Sequence, residues 1–157
     1  MNEAVPPALN GATGPSCPIA PDLVDGTASR IGALLSLLVL AVSMSQGWVL
    51  GVLALALDFA LRATGLPAFS PVARVAAGLR ALAGWPAHSM NAGPKRFAAS
   101  VGCLFSVAVG LALLAGWHTT ALVLGFMLGT CAGLEAFAGF CLACQVHPWL
   151  TWSRRTR

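Results

Sequence analysis

The chain has 157 residues, of which 57% are hydrophobic and only 9% charged. Soluble domains carry about 25% charged residues, so these few charges cannot coat a water-soluble globule. The net charge of +4 invites a nucleic-acid reading, which the placement of the cations along the chain excludes.

A mean hydropathy of +0.80 points to the bilayer, where backbone groups must pair within helices or closed barrels. Long continuous apolar runs, rather than short alternating ones, select helices. Residues 1–27 are rich in proline and glycine and contain no apolar run. They lack the basic and apolar regions of a secretory signal and are expected to form a flexible cytoplasmic leader.

Four segments then reach spanning length, about 20 residues each: 28–46, 48–66, 97–117 and 119–144. Gly47 falls in a tight turn between the first two, and "GWHTT" joins the last two just as briefly. Trp48 and Trp117 stand at these turns, where amphipathic indoles favour the membrane interface. In the middle loop, Pro71 suits a first helical position. Val72, Val75, Ala76, Leu79 and Leu82 follow at helical spacing, with Arg74 and Arg80 off that face. This pattern fits an amphipathic interfacial helix, or a plain connecting one.

The expected fold is therefore all-α: a four-transmembrane-helix bundle over 28–144, with an amphipathic helix in the middle loop and a basic cytoplasmic tail at 145–157. Arg30, Arg62, Arg74, Arg80, Lys95, Arg96, Arg154, Arg155 and Arg157 all fall on one side of that arrangement. By the positive-inside rule that side is cytoplasmic, with both termini inside, and the anionic leaflet is the first partner expected. Spacings of four also run through Ala98, Gly102, Ser106 and Gly110, and through Gly125, Gly129 and Gly133. Small residues permit close helix approach, so the third and fourth spans are expected to meet along these stripes, which can alternatively mark a homo-oligomer face.

Two carboxylates lie within the spans. Asp58 precedes Arg62 by four residues, a spacing suited to neutralisation. Glu135 has no such partner on its own helix and needs Arg30, Lys95 or Arg96 from a neighbour. Intramembrane acids are functional candidates by default, against which stands a purely fold-fixing ion pair.

Cys103 and Cys131 fall inside spans, where a thiol behaves as a small hydrophobe. Cys17, Cys141 and Cys144 are expected on the cytoplasmic side, where a reducing environment favours reactive thiols or metal ligands over a static disulfide. Positions three apart on a helix are close enough for reversible disulfide closure of Cys141 with Cys144. A helix C-terminus opposes a thiolate, so Lys95, Arg96, Arg154 and Arg155 would have to compensate. With His147, the same three cysteines make a candidate Zn or Cu(I) site.

The stretches "CPI" (17–19), "VDGTASRIGA" (24–33), "LDFALR" (57–62), "SPVAR" (70–74), "AGPKRFAASVG" (92–102) and "LEAFAGFCLAC" (134–144) occur in a recognisable order. Together they resemble the small bacterial membrane family numbered 4395 among domains of unknown function. The resemblance implies four-span proteins with an N-terminal Cys-Pro and a C-terminal C-x-x-C, some associated with thioredoxin-like or rhodanese-like (sulfurtransferase) partners. It carries over Cys17, Cys141 and Cys144 as candidate site residues, and Asp58, Arg62, Lys95, Arg96 and Glu135 as supporting motif members. His147 lies past these motifs, so the metal reading is specific to this chain.

The leading expectation is a protein of the bacterial inner membrane that exchanges disulfide or sulfane-sulfur equivalents with a thioredoxin-like or rhodanese-like protein. Lys95 and Arg96 would stabilise its thiolates, Glu135 would handle a proton, and no cofactor is required. The rivals are a metal-binding protein or small transporter, and a scaffold without chemistry. Nothing in the pattern supports a hydrolase or nucleotide-binding site.

Overall fold

The computed structural model describes residues 23–139. The elements run β1 (Leu23–Asp25), α1 (Gly26–Gln46), α2 (Val49–Ala63), a 3-10 turn (Pro67–Phe69), α3 (Pro71–Leu82), β2 (Ser89–Asn91), α4 (Ala92–Leu114) and α5 (His118–Gly133). A π-turn at Leu134–Ala138 prolongs α5. The described chain is thus all-α apart from one antiparallel pair of three-residue strands, with Val24 opposite Met90.

Local signals explain where the helices begin. Asp25 caps α1, its Oδ1 accepting the Thr27 and Ala28 N–H groups at 2.9 and 3.4 Å. Such a cap satisfies donors that have no partner within the helix. Ser70 does the same for α3, accepting the Ala73 N–H at 3.0 Å, with Pro71 in the first helical position.

Four helices close a ring: α1 packs against α2, α2 against α4, α4 against α5, and α5 against α1. The α3 helix lies on the end of α1 near Arg62 and Gly32. The interior is narrow and mostly apolar, with Val52, Val109, Ala112 and Ala121 at one level and Leu40, Leu55 and Leu128 at the next, and it also buries Ser43 and Ser106. The outer surface is equally greasy: Leu50 and Phe126 are 81% and 78% exposed. Apolar surface on this scale has no place in water and marks a membrane environment.

Among the described residues three helices are long and apolar enough to cross a membrane: Gly26–Gln46, Ala92–Leu114 and His118–Ala138. The segment expected at 48–66 forms a shorter helix. Its 15 residues rise about 22 Å, against a hydrocarbon core of about 30 Å. The cause is local, because Gly65 takes φ +81°, open to glycine without steric penalty, and Pro67 then starts the 3-10 turn.

The glycine stripes act differently from expectation. The α4 and α5 helices are neighbours, but their stripes do not face each other. A Cβ on Gly102 or Gly110 would meet Phe59 or Leu53 of α2. One on Gly125 or Gly129 would meet Met44 or Leu37 of α1. Each stripe receives large side chains from the first hairpin, so the small residues join the two hairpins rather than closing the second.

Candidate functional site

Among the described residues the Asp, Glu, Lys and Arg side chains collect at one end of the ring, opposite the two short turns. Two separate knots form there.

The first centres on Asp58, which is buried. Its Oδ1 accepts the Ser70 hydroxyl at 2.5 Å and the Val72 N–H at 3.0 Å. Its Oδ2 accepts Arg62 Nε at 2.7 Å and also Nη2. The Arg62 Nη2 reaches on to Ser36 Oγ of α1 at 3.2 Å, and its guanidinium lies 5.1 Å from the Phe59 ring centroid. The carboxylate therefore sits at the start of α3, where the helix dipole favours an anion, while its counterion ties α2 to α1.

The second knot centres on Glu135 in the π-turn. Its Oε1 accepts Ser29 Oγ of α1 at 2.9 Å and pairs with Lys95 Nζ of α4. Close by, the Arg30 guanidinium donates to the carbonyls of Phe137 at 2.9 Å and Ala136 at 3.4 Å. It covers Gly139, whose φ of +65° ends the helix. The helical run from His118 thus ends at Gly139, with carbonyls of its last turn held by a cation.

Between the knots a chamber of about 630 Å³ opens among α1, α2, α3 and α4. Arg62, Arg74, Lys95 and Arg96 line it, opposed by Asp25 and Glu135. A smaller, mostly apolar cavity of about 120 Å³ lies deeper, walled by Phe59, Phe105, Met127 and Cys131. Phe59, Arg62, Ala98 and Glu135 border both spaces, so one acid and one guanidinium stand at the waist between them.

The structure thus brings Arg62, Lys95, Arg96 and Glu135 of the expected set around one chamber, with Asp58 behind Arg62. Cys17, Cys141, Cys144 and His147 lie outside the described residues. Among the described residues no group of three or more His, Cys, Asp and Glu side chains could hold a metal ion. Cys103 and Cys131 are free thiols.

Several participants escape a sequence reading. Ser36 belongs to no motif, and Ser29 and Ser70, though within quoted stretches, find their carboxylate partners far along the chain. Asp25 does carry a signal, since an aspartate before Gly-Thr and an apolar run reads as a helix cap. It also binds Arg80 Nε at 2.8 Å, a pairing across 55 residues that no local pattern announces.

A family model described as Domain of unknown function (DUF4395) matches residues 24–151. No curated protein and no solved structure matches the chain.

Proposed function

The chain belongs to the DUF4395 family, and from that premise we propose a four-span protein of the bacterial cytoplasmic membrane whose cytoplasmic face carries a thiol-exchange site. In this reading α2 is the second span. The starts of α1 and α4 are joined by the β1–β2 pair, so after α1 the chain returns across the bundle before α4 begins. A helix shorter than the hydrocarbon core is accommodated by local thinning of the bilayer. Val75, Leu79, Leu82 and Trp85, all exposed, would let α3 and the turn after it lie in the interface. Both termini are cytoplasmic.

Cys17, Cys141 and Cys144 are the exchanging thiols, with a thioredoxin-like or rhodanese-like protein as partner. One thiolate attacks a partner disulfide, forming a mixed disulfide and releasing the partner's second thiolate. A second cysteine thiolate then displaces the partner, which leaves reduced by two electrons while the membrane protein is oxidised to a disulfide. With a partner persulfide, the attacking thiolate takes the outer sulfur and the partner leaves as a thiolate.

The observation that carries this reading is the pair of cations at the helix end, where Arg30 binds the Ala136 and Phe137 carbonyls beside Gly139 and Lys95 pairs with Glu135. Cations beside a cysteine favour the thiolate. Arg30, bound to carbonyls of the final turn, offsets the dipole that would oppose it.

Mass-tagged maleimide labelling in native membranes, with and without reductant, tests the proposal. Reversible linkage among Cys17, Cys141 and Cys144, abolished by Cys141→Ser or Cys144→Ser, is the expected result. Thiols labelled equally with and without reductant would sink it, and thiols masked by stoichiometric metal would replace it with the metal reading.

A further inference from the structure

We infer that the chamber among α1, α2, α3 and α4 is a binding site for one phosphate-type tetrahedral oxyanion, carried either by a free anion or by an anionic lipid headgroup. The inference rests on described residues alone and does not depend on the cysteines.

The first ground is charge. Among the described residues the lining side chains comprise four cations, Arg62, Arg74, Lys95 and Arg96, and two carboxylates, Asp25 and Glu135. The difference is two positive charges, since four less two is two. Asp58 and Arg80 reach lining residues from outside and cancel each other. The carboxylates are also occupied. Asp25 holds Arg80 and the start of α1, while Glu135 holds Lys95 and Ser29. Among the described residues the Arg74 guanidinium makes no hydrogen bond or ion pair.

The second ground is shape. Gly65 at φ +81° leaves room for the Arg96 guanidinium, and a Cβ there would stand 2.8 Å from its Nη2. The backbone turn after α2 thus doubles as a seat that presents Arg96 to the chamber. The volume of about 630 Å³ falls within the range of small-ligand pockets, about 300–1,000 Å³.

The third ground is direction. Arg62 arrives from α2, Arg74 from α3, and Lys95 with Arg96 from α4. Cations converging from three helices match a tetrahedral anion, which offers oxygens on several sides, better than a planar carboxylate. Arginine forks bind phosphate in paired hydrogen bonds. The chamber lies at the ends of the membrane helices, the level of lipid phosphates, where basic pockets between helices hold anionic headgroups.

The test uses the full-length protein in nanodiscs of neutral phosphatidylcholine, alongside a variant with Cys17, Cys141 and Cys144 changed to Ser. Isothermal titration with inorganic phosphate is the first arm. Native mass spectrometry after exposure to phosphatidylglycerol is the second. Saturable one-site binding in the first arm supports the proposal with a free oxyanion as ligand. Retention of one phosphatidylglycerol in the second, without phosphate binding in the first, supports it with a headgroup as ligand.

In either case Arg74→Gln weakens binding about tenfold or more, the loss of one charge-assisted contact. An unchanged thermal midpoint shows that this variant still folds. Binding must survive in the variant that lacks Cys17, Cys141 and Cys144, so a failed thiol site and a failed anion site give different results. No binding in either arm, or equal binding by wild type, Arg74→Gln and Arg96→Gln, overturns the inference.

Discussion

Asp58 and Glu135 are both carboxylates near the same end of the bundle, yet their surroundings set them to different tasks. Asp58 is 2% exposed and both its oxygens are occupied, by a guanidinium, a hydroxyl and a backbone N–H. Glu135 is 17% exposed and uses one oxygen for two donors, while among the described residues Oε2 accepts none. It borders two cavities, whereas Asp58 lines neither. A saturated, buried acid can only hold its neighbours in place. An acid with a spare oxygen facing open space can also exchange a proton.

The largest effect is therefore expected at Asp58. Asp58→Ala leaves Arg62 without its counterion and the start of α3 without its anion. Breaking a buried pair from one side costs about 3–5 kcal/mol, read as a loss of unfolding free energy in nanodiscs. A loss below about 1 kcal/mol would mean the knot is dispensable and erase the contrast with Glu135. Ser70→Ala removes one donor to Asp58 and the cap of α3 together, and is expected to cost about 1–2 kcal/mol. The same unfolding measurement checks it, and no change would show that Val72 N–H and Arg62 suffice to hold the carboxylate.

How much of this was legible beforehand follows from the range of each signal. The Asp58–Arg62 pair could be read directly, because a spacing of four on a helix is a local fact. Membrane helices and the helix after Ser70–Pro71 could be read for the same reason. The partner of Glu135 could be narrowed to three cations but not chosen. That choice depends on which helix packs beside α5, and both Arg30 on α1 and Lys95 on α4 are near; Lys95 takes the carboxylate and Arg30 the helix end. The β1–β2 pair was invisible, since three residues carry no periodicity. The glycine stripes were visible but misdirected. Spacing says that something packs closely there, not that Phe59 or Met44 is the side chain that fills the groove. Composition alone extends α2 too far, because apolar residues continue past 63 while Gly65 and Pro67 end the helix. For Cys141 and Cys144 the structure adds only the helix end at Gly139, because both lie outside the described residues.

The smallest stability effect, and the sharpest functional one, is expected from Glu135→Gln. The amide oxygen keeps an acceptor for Ser29 and Lys95, and the pair is partly exposed, so the cost should stay within about 1 kcal/mol. The amide cannot take up a proton at neutral pH. If Glu135 handles a proton in thiol exchange, the rate of reversible linkage among Cys17, Cys141 and Cys144 falls by roughly a hundredfold while the unfolding free energy barely moves. Measuring both in one preparation separates the outcomes. An unfolding loss as large as that of Asp58→Ala would make Glu135 a second structural knot, and the spare oxygen would count for nothing. A stable variant that exchanges at the wild-type rate would leave Glu135 with neither task and return the proton to water in the chamber. Only a stable, slow variant supports the distinction between the two acids, because it separates holding the bundle together from acting on its thiols.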